Sequence, residues 1–330
     1  MANLEVVSIC NLDCPYCFAQ KYMDDSVKQA KDKFISIADY QLHLDFLDRS
    51  NIDQVRLIGG EPTLHPDFPL LIRLAEERNK KIAVFSNGLI PPRALQSLLS
   101  INPDDCIVLI NTTASKINGV ISIGEKQRRL SVIQSLGERA MLGYTIYTPD
   151  FDMSDLLSII KELGCCKTIR VGLAHPAYSN YDTAIHPKKY KYIGGRLFEF
   201  AGKAFLDGVR LEFDCGFVRC MFSEEQVETL KSYNAAPGWH CSPVLDIHLS
   251  GTIIMCFPNG GLADVQLFPT SVAKQVHEEM IAKTTIYRNI GIFPECSICD
   301  FKREHLCSGG GLEHIINRFR HSPFQINVSL

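Results

Sequence analysis

Residues Asp53–Ser86 read DQVRLIGGEPTLHPDFPLLIRLAEERNKKIAVFS. Two apolar runs rich in β-branched residues, Asp53–Ile58 and Lys81–Ser86, flank an amphipathic stretch, DFPLLIRLAEERN. A strand, a helix and a second strand in that order predict a βαβ unit with parallel pairing. The same alternation continues outward. Strands are expected at Leu4–Ile9, Cys106–Asn111, Ala140–Tyr147 and Thr168–Ala174. Helical segments lie between them, several with start signals: Ser36, Pro91-Pro92 and Ser154-Asp155. The expected fold class is α/β, a partial (β/α)6 barrel of parallel strands, short of the eight units of a closed one. Chemistry is then expected at the C-terminal ends of the strands. Those ends carry Cys10, the Gly59–Pro62 stretch, Ser86-Asn87-Gly88, Asn111-Thr112-Thr113 and His175.

After residue 185 the alternation stops. A long helical stretch, PKKYKYIGGRLFEFAGKAFLDG, leads to a strand, RLEFD, and then to a tail rich in Cys, Gly and Pro. A boundary is expected between about Pro187 and Val209. It divides the chain into a barrel, 1–200, and a small cysteine-rich domain, 201–330.

Composition narrows the class. The chain has 330 residues, 46% hydrophobic, with 34 Lys+Arg against 37 Asp+Glu. That near balance argues against a nucleic-acid partner or a membrane surface. No signal-peptide pattern and no membrane-length apolar run stands out, so a cytoplasmic location is expected. The 13 cysteines are the anomaly. In a reducing compartment they point to metal ligation or catalysis. Three lie within the first 17 residues and seven after residue 210.

The first three, in SICNLDCPYCFAQ (Ser8–Gln20), have the spacing C-x3-C-x2-C. Thiolates select zinc, copper(I) or iron–sulfur clusters. Zinc wants four ligands, and a [4Fe–4S] cluster on three leaves one iron open. A search nearby for a fourth ligand finds His43 and Asp13 but no placed cysteine. A zinc loop and inert buried cysteines are the alternatives.

CNLDCPYC, with Tyr16 before the third cysteine, resembles the signature of the radical S-adenosylmethionine enzymes. GGEPTLHPDF (Gly59–Phe68) resembles that family's glycine-rich motif after the second strand. The resemblance implies a [4Fe–4S] cluster on Cys10, Cys14 and Cys17, with S-adenosyl-L-methionine chelating the open iron. It further implies reductive cleavage to a 5′-deoxyadenosyl radical, abstraction of a substrate hydrogen atom, and an electron donor such as flavodoxin or ferredoxin. Gly59 and Gly60 would let backbone approach the cofactor, and Glu61 would accept from its amino group. Asn87 and Asn111 would bind its carboxylate or ribose, or serve simply as turn formers. His175 would line the adenine or merely end its strand.

In the tail, CSPVLDIHLSGTIIMC places Cys241 and Cys256 around an expected hairpin, and CSICDFKREHLCSGGG carries Cys296, Cys299 and Cys307. The C-x9-G-x4-C element resembles the SPASM and twitch auxiliary-cluster domains. Their fuller pattern, C-x2-C-x5-C-x3-C, is broken here: the spacing after Cys299 is seven, and Gly311 stands where the next cysteine is expected. The resemblance implies at least one auxiliary [4Fe–4S] cluster, on Cys241, Cys256, Cys296 and Cys299, with Cys307 replacing one of them or holding part of a second. Cys215 and Cys220 are ligands, core residues or hydrogen-atom donors. The activity expected is peptide modification. The alternatives are a small-molecule dehydrogenase or epimerase, and a non-catalytic metal-binding scaffold.

Overall fold

In a computed structural model, residues 1–20, 23, 33–113, 121–176 and 184–320 are described. The side chain of Arg170, in the sixth strand, lies 5.3 Å from the Phe85 ring in the third. In a flat sheet, strands three places apart stand about 14 Å from one another. The sheet is therefore rolled, and both residues face its concave side. Arg56, from the second strand, reaches the same ring at 5.8 Å.

The rolled sheet has ten strands in the order β10-β9-β8-β1-β2-β3-β4-β5-β6-β7. Strands β1 (Ala2–Val7), β2 (Gln54–Gly59), β3 (Lys81–Ser86), β4 (Cys106–Asn111), β5 (Ala140–Ile146), β6 (Thr168–Leu173) and β7 (Arg210–Phe213) form its parallel run. The expected alternation thus extends one unit further than six. Helix α6 (Tyr190–Leu206) makes the last crossover, and β7 pairs with β6. The division expected near residue 200 falls inside α6. The tail then returns to the opposite edge. There β8 (Leu245–Ile247) pairs parallel with β1, and β9 (Thr252–Met255) and β10 (Val265–Gln266) follow antiparallel.

The convex face is the core. Leu4, Val6, Val55, Leu57, Val84, Val108, Ile110 and Leu142 are all buried without exposed surface. They pack under α1 (Ile37–Arg49), α2 (Phe68–Glu76), α3 (Pro92–Ser100), α4 (Ile123–Leu136) and α5 (Ser154–Leu163). Alternate residues of β4 are buried and half-buried, as period two requires of a strand with one filled face and one open face. No described helix is long and apolar enough to cross a membrane.

His43 belongs to this core rather than to any ligand set. It is 1% exposed on α1, and its Nδ1 has no hydrogen-bond partner. Burial pushes its pKa down to about 4, with Asp39 pulling weakly upward. The folded chain holds it neutral, while the unfolded chain protonates it near its ordinary value. Its contribution is full above pH ~6.5 and is lost as pH falls toward 4, up to about 3 kcal/mol. The variant His43→Leu is therefore expected to gain Tm relative to wild type as pH drops through that window. Parallel Tm curves for the two proteins would sink this assignment.

Candidate active site and cysteine centres

At the end of β1 the chain leaves the sheet and turns into the three-cysteine loop. The next strand meets it there. Gly60 N–H donates to Val7 O at 2.8 Å and Glu61 N–H to Ile9 O at 2.9 Å. A β-carbon on Gly59 would strike Val7 O, and one on Gly60 would strike Ile9 O. Both glycines are thus required by the close pass of the β1 backbone.

Glu61 departs from expectation. It has no exposed surface, and its carboxylate accepts from Thr63 N–H (3.3 Å), Thr63 Oγ1 (2.5 Å), Ser86 Oγ (3.0 Å) and Asn87 N–H (2.8 Å). Burial pushes its pKa up, and these donors hold the ionised form. With its lone pairs taken and no route to solvent, it is not placed to accept from a cofactor's amino group. It fixes the turn after β3 instead.

That turn carries Asn87, whose Nδ2 donates to Asn11 Oδ1 at 2.7 Å and points to Cys10 Sγ at 3.7 Å. Asn111, at the end of β4, donates to Tyr16 OH and to Thr145 Oγ1, both at 3.3 Å. The Tyr16 and Tyr147 rings lie 5.0 Å apart. The ends of β1, β3, β4 and β5 therefore converge on the cysteine loop. Asn11, Thr145 and Tyr147 were not singled out from sequence. Position was the available signal for the last two, since both sit at the end of the fifth expected strand.

The loop suits an anionic metal group. Leu12 N–H points at Cys10 Sγ at 3.4 Å, and the Ala19 and Gln20 N–H groups serve Cys17. Burial pushes the Cys10 thiol up to about 11 and Cys17 up to about 12, each helped by the charge of Cys14. Such buried sulfurs stay protonated unless a metal displaces the proton, and the N–H donors then stabilise the thiolate. Among the described residues, the group of three ligand types with ligand atoms within 4.8 Å of one another is His175, Glu313 and His314.

The tail cysteines form two sets, and the expected group Cys241, Cys256, Cys296 and Cys299 is divided between them. Cys220, Cys296, Cys299 and Cys307 line a small cavity of ≈ 30 Å³ together with Arg219, Phe293, Phe301 and Lys302. Cys241 and Cys256 keep different company. Burial raises both thiols, Cys241 to about 11, and the neighbouring charges on Cys256 include Cys215 and Cys241. The hairpin β8–β9 pins this pair to the sheet beside β1, while α8 (Ala273–Arg288) carries the chain away before Cys296. Cys215 and Cys220, read as possible donors, thus fall one into each set. His175 does not face an adenine site: it bonds Cys215 and lies 2.7 Å, through Nδ1, from Glu313 Oε1. Cys106 and Cys165 are buried core residues.

Residues 4–141 match the Radical SAM superfamily model. A GTP 3′,8-cyclase of Actinobacillus pleuropneumoniae serotype 7 (strain AP76) is 34% identical over 88 residues, 26% of this chain and 25% of that protein. The match therefore spans about a quarter of that relative's length. Among solved structures, anSMEcpe with bound AdoMet and Kp18Cys peptide superposes with TM-score 0.67 at 18% identity, over 94% of this chain and 88% of that one. Streptococcus suis SuiB bound to precursor peptide SuiA gives 0.63 at 15%, over 96% and 72%. These superpositions run through the cysteine-rich tail, which shares the fold of those two structures. The likeness to the radical SAM superfamily therefore rests on residues 4–141, which carry the three-thiol loop at the end of β1, and the remainder of the chain is matched in fold alone.

Proposed function

We propose that the chain is a radical SAM enzyme that modifies a peptide, with two auxiliary iron–sulfur clusters in its tail. The observation that carries the reading is the extent of the likeness. The peptide-bound structures superpose on 94% and 96% of the chain, tail included, whereas the GTP 3′,8-cyclase match covers 26% of it. When bound, S-adenosylmethionine and the reduced cluster on Cys10, Cys14 and Cys17 supply a carbon radical that takes a hydrogen atom from the substrate.

The chain's own residues hold and shield that chemistry. Asn87 and Asn111 present amides at the mouth, and Tyr16 and Tyr147 wall it. Below them the concave face offers Arg56 and Arg170 around Phe85, with Arg170 paired to Asp214 at 2.9 Å. The sets Cys220/Cys296/Cys299/Cys307 and Cys215/Cys241/Cys256 hold one cluster each. Both Cys215 and Cys220 are then ligands rather than hydrogen-atom donors.

A second reading, a phosphorylated small molecule, draws on the two arginines, which suit an anionic group. One experiment separates the two. The enzyme is co-expressed with each short peptide encoded beside its gene, and the peptides are weighed by mass spectrometry. Peptide modification predicts a mass change in one of them, such as loss of two hydrogens. Unchanged peptides, together with turnover of a purified nucleotide, would reverse the order of the readings.

A further inference from the structure

Three side chains that are not thiols meet where the tail closes on the barrel. His175 follows β6. Glu313 and His314 are neighbours in the first turn of α10 (Leu312–Arg320; the shorter helices Glu224–Ser232 and Asp300–Arg303 are α7 and α9). Each offers one ligand atom, and the three atoms lie within 4.8 Å of one another. His175 Nδ1 and Glu313 Oε1 are 2.7 Å apart, and the two imidazole centroids 6.0 Å. The backbone makes room for the group. A β-carbon on Gly311 would land on the Glu313 carboxylate, and one on Gly216 would strike His175 Cε1.

His314 carries the observation that points to a ligand. It is 3% exposed. Its Nε2 lies 3.0 Å from Tyr190 OH, while its buried Nδ1 has no hydrogen-bond partner among the described residues. A buried nitrogen left so is costly unless something meets it. Burial pushes the ring's pKa down to about 4, which keeps it in the neutral form that donates to metals. A metal-bound histidine ordinarily holds its second nitrogen against a neighbouring group. Tyr190 gives His314 such a partner, and His175 bonds Cys215. Glu313 accepts from its own N–H, and ligating carboxylates are hydrogen-bonded as a rule. The carboxylate needs no idle oxygen, because an ion would take the place of the proton between Glu313 Oε1 and His175 Nδ1.

We infer that His175, Glu313 and His314 bind one divalent transition-metal ion of the zinc or iron(II) class, separate from whatever the thiol sets hold. Two imidazoles and a carboxylate are the donors such ions take, whereas sets of thiolates alone favour clusters. The ion fastens the first turn of α10 to the end of β6, and so ties the tail to the barrel. The site is independent of the activity proposed above.

The test uses the full chain, reconstituted with iron and sulfide, freed of loose metal by brief chelation and given one equivalent of zinc chloride. Zinc outcompetes ferrous iron at a nitrogen and oxygen site. Both metals are counted by elemental analysis, and X-ray absorption at the zinc edge reads the atoms around zinc. Wild type should keep about one zinc per chain, with nitrogen and oxygen at about 2.0–2.2 Å and no sulfur at about 2.3 Å. Glu313→Ala and His314→Ala should each lose that zinc with the iron content unchanged. Should a variant lose iron as well, His314→Cys decides. It should hold zinc with one sulfur at about 2.3 Å, a result that packing alone would not produce. Wild type without zinc, or with sulfur around zinc, would overturn the site. So would zinc retained by Glu313→Ala or His314→Ala, or a His314→Cys protein whose zinc is absent or lacks a sulfur.

Discussion

Replacing Cys10, Cys14 and Cys17 together by alanine abolishes cleavage of S-adenosylmethionine and removes about four of about twelve irons per chain. The expectation follows from separation of the thiols. Cys10 and Cys14 pack around Leu12 and Leu89 and Cys17 against Ala19, Ile254 and Phe257, while the thiols of both tail sets all come from residues after 210. Anaerobic reconstitution, iron analysis and chromatography of 5′-deoxyadenosine measure both halves of the result. Wild-type protein that binds iron but releases no 5′-deoxyadenosine under reduction would restore the scaffold alternative. Wild-type protein with about eight irons would mean that one tail set holds no cluster. Undiminished cleavage in the triple variant would remove the loop from the chemistry altogether.

The second large effect comes from a residue that touches no cofactor in the proposed scheme. Glu61→Ala leaves the Asn87 and Thr63 N–H groups and two hydroxyls without their acceptor in a buried site. At about 1–3 kcal/mol for each stranded donor, partly relieved by rearrangement, a loss of about 4 kcal/mol is expected. In a chain of this size that lowers Tm by about 6 °C. Asn87 also loses its anchor, and with it the hold on Asn11 in the cysteine loop. Affinity for S-adenosylmethionine is expected to fall at least ~10-fold, or 1.4 kcal/mol. Glu61→Gln should sit between, since its amide keeps one acceptor and turns the other into a donor facing donors. A Glu61→Ala protein with wild-type Tm and wild-type affinity would show that the turn after β3 stands without it.

Local pattern explains what was legible. The expected strands Lys81–Ser86 and Cys106–Asn111 match β3 and β4 residue for residue, because turn-forming residues close both runs. The first strand was read two residues late, as Leu4–Ile9 rather than Ala2–Val7. Ser8 and Ile9 look like strand continuation, yet Ser8 N–H turns to Lys33 O and the ladder ends. The three-thiol loop was legible because its ligands are neighbours in sequence. The tail was not, because spacing along the chain carries no information on which distant loops meet. Cys220 joins Cys296, Cys299 and Cys307 only after α8 has turned back. Glu61 was visible but misread, since its burial depends on the return of the chain through Ser86 and Asn87.

The pairing of β1 with β8 has a consequence for how the protein is made. Residues 2–7 leave the ribosome well before their partner on one side, residues 245–247, with some 240 residues between them. At translation rates of about 5–20 residues per second, that interval is on the order of 10–50 s. Throughout it β1 can be paired by β2 alone, and its other edge is an unsatisfied row of peptide groups open to neighbouring chains. The Asn3–Asp246 and Glu5–His248 contacts that cover this edge arrive with the hairpin that also carries Cys256 to its set. Covering of the β1 edge and delivery of Cys256 to its set are one event, so a chain stalled before the hairpin is both aggregation-prone and without its full set of tail thiols.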